Sequence, residues 1–267
     1  GDRVLDLLAR HPSTARHISW KLAVRLVADD PPDALVDRAA EVFRATDGDI
    51  RAVVRALVTS PEFFARSAWR AKVKSPFEVV VSAVRALGGQ ADTTAVSAAV
   101  IAQLGQPLYG HQAPDGWPET GTEWMNTGAI LARINFGLQA GANRLPGTRL
   151  ASWPEYARLA SLPHDQQVDG VVEALLAGTA STETREVLSS GLNPLLQGPG
   201  TDADPEAGEA RSMTGVMRRR GAAPPAADRS NPLARRGAAL TGRPLPPLRG
   251  LDQLIALAIG SPEFQRR

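Results

Sequence analysis

The chain has 267 residues, with 30 Lys and Arg against 28 Asp and Glu, a formal net charge of +2 and no cysteine. A near-balanced charge without a concentrated basic stripe excludes the usual electrostatics of nucleic-acid binding, and the missing cysteines remove thiol nucleophiles, disulfides and thiolate-held zinc. No run of eighteen apolar residues occurs, so no stretch of the sequence reads as a membrane-spanning helix.

Apolar residues recur at helical spacing from the start. Val4, Leu5, Leu7 and Leu8 open the pattern directly after Gly1, and with neither an initiating Met nor an apolar leader the chain reads as a processed or truncated form. His11-Pro12-Ser13 places a proline in the first turn of a helix running to about Val27, where the missing N–H is not needed. Asp30-Pro31-Pro32 starts the next, with Leu35, Val36, Ala39, Val42 and Phe43 on one face. Asp47-Gly48-Asp49 ends that helix and caps another, whose stripe is Ile50, Val53, Val54, Leu57 and Val58. Ser75-Pro76-Phe77-Glu78 is a capping box, and its helix stops at Gly88-Gly89. Further helices are expected at 94–104, 128–142, 153–161, 166–177, 183–190 and 250–260.

Between 191 and 250 the pattern lapses into Gly, Pro, an acidic patch and the arginine groups at 218–220 and 235–236. Such a segment buries too little apolar surface to offset its ordering entropy, so 191–249 is expected to be flexible. The expected organisation is an all-α, irregular multi-helix bundle over 1–190, this low-complexity segment, and a C-terminal element at 250–267 that docks back. Ser60-Pro61-Glu62-Phe63 recurs as Ser261-Pro262-Glu263-Phe264, each after an apolar helical stripe. Two copies fall short of a solenoid.

The stretch from Gly105 to Phe136 carries the densest chemistry. His111, Asp115, Glu119 and Glu123 lie among Trp117 and Trp124 on a backbone broken by Gly and Pro, in a loop long enough to suggest function. One reading makes them an acid and base pair, with burial beside Trp raising one carboxyl while solvation keeps another low. Another makes them oxygen ligands of a divalent cation, the one cofactor the pattern leaves open. The bland alternative is an ordered loop pinned by its Trp rings, both of which should be substantially buried, with Arg133 paired to a loop carboxylate.

Two basic groups offer anion sites. His17, Lys21 and Arg25 share a helix face at four-residue spacing, unless they are solvated or paired with Asp37 and Glu41. Lys72 and Lys74 precede the capped helix N-terminus at Ser75, unless they too are solvated. Serine-elbow, phosphate-loop, dinucleotide and zinc-helix signatures are all missing from the sequence.

Several segments together resemble the C-terminal half of the bacterial domain of unknown function 1800 family: HPSTARHISWKLAVRLVADDPP from His11, the turn from Thr46 to Arg51, Lys72 to Pro76, Gly105 to Phe136, and the terminal SPEFQRR. Members are typically about twice this length and often carry export signals, so the resemblance implies an extracytoplasmic bacterial protein lacking an N-terminal half here. It implies no reaction. The leading expectation is a hydrolase on an ester-type or otherwise anionic substrate, with His111, Asp115, Glu119 and Glu123 catalytic and His17, Lys21, Arg25, Lys74, Trp117, Trp124 and Arg133 binding. The alternative is a non-catalytic helical module that binds or assembles with an envelope protein or glycan.

Overall fold

A computed structural model describes residues 1–90, 95–190 and 245–267. Among the described residues it is all-helical, with no strand beyond one isolated antiparallel bridge between Val73 and Arg266. In chain order the helices are α1 (Asp2–Ala9), α2 (Pro12–Leu26), α3 (Asp33–Ala45), α4 (Ile50–Val58), α5 (Pro76–Ala86), α6 (Val96–Gln103), α7 (Thr127–Gly141), α8 (Tyr156–Ala160), α9 (His164–Leu176), α10 (Thr182–Ser190) and α11 (Gly250–Gly260). Most of the flexible segment expected at 191–249 lies outside the described residues. Of its end, 245–249 run onto the bundle, with Leu248 buried in a cluster with Leu138 and Ala256.

The helix starts follow the capping chemistry. Asp49 accepts from Arg51 N at 2.8 Å, and Ser75 and Glu78 form the reciprocal box, with Ser75 N donating to Glu78 at 2.9 Å. At α2 the cap is His11 itself, whose Nδ1 accepts from Ser13 N at 3.1 Å while Pro12 fills the first helical position. The two Ser-Pro-Glu-Phe segments behave alike: Ser60 Oγ accepts from Phe63 N at 3.2 Å and Ser261 Oγ from Phe264 N at 3.4 Å. Each closes the turn after its helix and aims its glutamate at a neighbouring element. Glu62 receives Arg38 at 2.6 Å, whereas Glu263 receives Ser181 N at 2.8 Å and the Thr184 hydroxyl at 3.0 Å.

Among the described residues, two clusters larger than the one around Leu248 organise the bundle. The smaller joins α2, α3 and α4 through Ala23, Val27, Leu35, Val36, Ala39, Val53 and Leu57. The larger gathers α5, α6, α7, α9, α10 and α11 around Leu87, Phe136, Leu176, Leu188, Leu254, Ile255 and Ile259. Helices α7 and α11 approach so closely that a Cβ on Gly141 would sit 2.4 Å from Asp252 O, and one on Gly137 2.6 Å from Ala256 O. Glycine is required there because both obstacles are backbone atoms.

The last seven residues fasten the two clusters together. Lys72 N donates to Arg267 O at 3.2 Å, Arg267 N to Lys72 O at 2.9 Å, and Lys74 N to Gln265 O at 2.8 Å. From α7, Arg133 reaches the same seam, donating to Gln265 Oε1 at 2.7 Å and Lys74 O at 2.8 Å. Arg70, in the left-handed region at φ 53°, caps the end of α9 by donating to the carbonyls of Leu176 and Thr179.

Candidate functional site: the aromatic loop and an apolar groove

The 105–124 loop is held from three directions. Asp29, just after α2, forms an ion pair with Lys72 through Oδ1 and accepts Gly121 N at 2.7 Å through Oδ2. Lys72 also donates to Glu119 O at 3.0 Å. Gly121 has to be glycine for this contact, since a Cβ would fall 2.8 Å from Val73 Cγ2. The Trp124 ring is buried, and its N–H donates to Pro118 O at 3.0 Å, which satisfies the polar edge that a buried indole requires. Trp117 is half-buried, packed between Trp124 (centroids 6.0 Å apart) and His111 (4.6 Å).

The four ionisable groups expected to converge do not. His111 Nε2 lies 3.1 Å from Asp115 Oδ1, and this hydrogen bond is the main reason the Asp115 carboxyl titrates below its ordinary range. Asp115 is otherwise exposed. Glu119 instead meets Arg25 at 3.1 Å, and Glu123 accepts from the Thr120 hydroxyl at 3.2 Å. Among the described residues, no three His, Asp or Glu side chains come together as metal ligands. Tyr109, at the loop tip, is fully exposed and in the left-handed region at φ 58°.

The basic groups are arranged differently from the sequence expectation. Arg25 leaves the His17 and Lys21 face to bridge Glu119 and Glu78, each at 3.1 Å. His17 and Lys21 are exposed, with His17 stacked on Trp20 at 6.2 Å, and Arg16 rather than these residues takes Asp33 and Asp37. Lys72 and Lys74 are not solvated. Lys72 is buried on Asp29, and Lys74 donates to Phe264 O at 2.7 Å with its ammonium 4.2 Å from the Phe264 ring centroid. Burial, helped by the nearby Arg70 and opposed by Glu78, pushes the Lys74 amine down to about 8. Arg133 does not pair with a loop carboxylate. It is buried in the seam with two neutral acceptors, and desolvation lowers it to about 10.

A second feature lies away from the loop. Ile134 and Leu138 of α7, Val187 and Leu188 of α10, and Ala256 and Leu257 of α11 line an almost wholly apolar groove of about 350 Å³. Val187 stands at its lip, 38% exposed. Three helices distant in sequence build this surface, so no local motif announces it. The signal that sequence does carry is Val187 beside Leu188 in a helix whose other residues are all polar.

The fold and these two features define an irregular all-α domain with a loop pinned by tryptophan and a terminal segment clasping two helical clusters. The chain belongs to the family described as Protein of unknown function (DUF1800), whose sequence profile matches residues 1–266. No curated protein matches the chain, and neither does any solved structure.

Proposed function

We propose that this chain is a non-catalytic helical binding module of the bacterial envelope, receiving an apolar helical segment of a protein partner in the groove between α7, α10 and α11. The observation that carries this reading is the groove itself, whose walls are apolar and whose lip presents Val187 to solvent. An amphipathic helix laid into such a groove is a recurrent mode of peptide recognition. The loop supports the same reading, because Glu119, Asp29, Lys72 and Trp124 are engaged in holding it. The extracytoplasmic placement rests on the export signals common among the relatives that the sequence resembles.

Titration with Nile red tests the groove. One saturable site is expected on the wild type, weakened at least tenfold by Val187→Glu, and equal binding to both proteins would sink the proposal.

The hydrolase reading keeps one specific observation, the His111–Asp115 pair at 3.1 Å, in which the carboxylate orients an imidazole as an acid or base requires. Its test is turnover of a panel of carboxylic, phosphoric and sulfuric esters. A rate on any of these that falls at least a hundredfold in His111→Ala would favour hydrolysis over binding.

A further inference from the structure

Helix α1 has an apolar stripe that no described residue covers. Val4, Leu5, Leu7 and Leu8 share one face at helical spacing and are 59, 64, 69 and 55% exposed, and no residue of the helix is buried. Arg3 and Arg10, seven positions apart, run along one edge of that stripe. Arg10 makes a long 3.9 Å contact with Asp47, both side chains being largely exposed.

The groove has the complementary character. Its walls are apolar, and one edge follows α10, where Glu183 lines the rim and Glu186 lies next to it on the same side of the helix. Both glutamates are exposed and without an ion-pair partner among the described residues. Arg185 between them is turned to Asp169, at 2.8 Å.

We propose that the occupant of the groove is α1 of a second copy of this chain. Val4, Leu5, Leu7 and Leu8 lie down on Ile134, Leu138, Val187 and Leu257, while Arg3 and Arg10 run along Glu183 and Glu186. The inference rests on the groove being a binding site, as proposed above. The contact joins two different surfaces, so copies associate head to tail and either close on themselves or extend. An eight-residue helix is about 12 Å long, and four apolar side chains make a far smaller interface than the roughly 800 Å² per partner of a stable complex. The association is therefore weak and rises with concentration.

Sedimentation velocity of the full chain over a wide concentration range tests this. The weight-average mass of the wild type should climb with concentration. Leu5→Glu with Leu8→Glu should keep the protein monomeric without unfolding it, since neither side chain is buried. Arg3→Glu with Arg10→Glu, and separately Glu183→Arg with Glu186→Arg, should each weaken self-association at least tenfold. Mixing those two charge-reversed proteins should restore it. A labelled synthetic peptide of residues 1–11, added to the Leu5→Glu, Leu8→Glu chain, should bind and displace Nile red.

A constant mass with no peptide binding, while Nile red still enters the groove, would overturn the second-copy occupant and leave the groove reading standing. Nile red binding that ignores Val187→Glu would remove both. Self-association that survives Leu5→Glu with Leu8→Glu would place the contact elsewhere and refute the inference.

Discussion

Asp29→Asn isolates the contact on which the aromatic loop depends. The asparagine keeps an acceptor for Gly121 N but removes the charge facing Lys72, whose side chain is 3% exposed. Breaking one partner of a buried ion pair costs about 3–5 kcal/mol, because the remaining charge is stranded. Asp29 is itself 31% exposed, so solvent screening lowers the expectation to roughly 2–3 kcal/mol. Lys72 retains one neutral acceptor, Glu119 O at 3.0 Å. Urea unfolding followed by tryptophan fluorescence gives the stability change, and hydrogen exchange at Gly121 reports the loop directly. The double replacement Asp29→Asn with Lys72→Met should recover part of the loss, since an apolar side chain needs no counterion. A cost for Asp29→Asn below about 0.5 kcal/mol, within the range of ordinary surface substitutions, would show that the pair does not hold the loop.

Three further outcomes follow from the packing and titration of the bundle. Gly141→Ala should lower Tm by several degrees, because its Cβ meets backbone 2.4 Å away and overpacking of this kind costs about 1–3 kcal/mol or more; Gly128→Ala, whose Cβ stays 3.4 Å from Asn126 Oδ1, is the control that should not. Ser75→Ala should cost about 1 kcal/mol in thermal or chemical unfolding by removing the capping box of α5. Lys74 gives a pH signature. Its amine titrates at about 8 in the folded chain, below the ordinary lysine value. Below pH 8 both folded and unfolded chains carry the proton and the burial cost is complete. Between there and the ordinary lysine value the unfolded chain binds the extra proton, so stability rises with pH. Wild type should therefore gain on Lys74→Met as pH is raised from about 8 to 10, and parallel stability curves for the two proteins would refute the half-buried ammonium.

Local chemistry was legible in the sequence where its cause is local. Ser75 with Glu78, Asp49 before Ile50, and Pro12 in a first turn each specify a helix start within a few residues, and the structure has all three. Trp124 was legible as an anchor because a large ring with one N–H has few options other than burial with a partner. The partners themselves were not. Lys72 looked solvated because cations sit badly beside a helix N-terminus, yet its counterion is Asp29, forty-three residues earlier. Arg133 has carboxylates nearby in sequence but bonds to Gln265, across 132 residues. The four loop groups were close in sequence, but Arg25 and Thr120 draw Glu119 and Glu123 into separate hydrogen bonds and leave His111 with Asp115. The groove needs α7, α10 and α11 side by side, an arrangement no single stretch of sequence encodes. The stripe on α1 was legible as helical, but periodicity alone expects such a face to be covered, and none of the described residues covers it.

Amide hydrogen exchange on the Leu5→Glu, Leu8→Glu chain, with and without the 1–11 peptide, distinguishes binding in the groove from binding at the aromatic loop. Binding in the groove predicts slower exchange in α10 and α11, with the 105–124 loop unchanged. Protection confined to that loop, with α10 and α11 unaffected, would contradict the account and return attention to the His111–Asp115 pair.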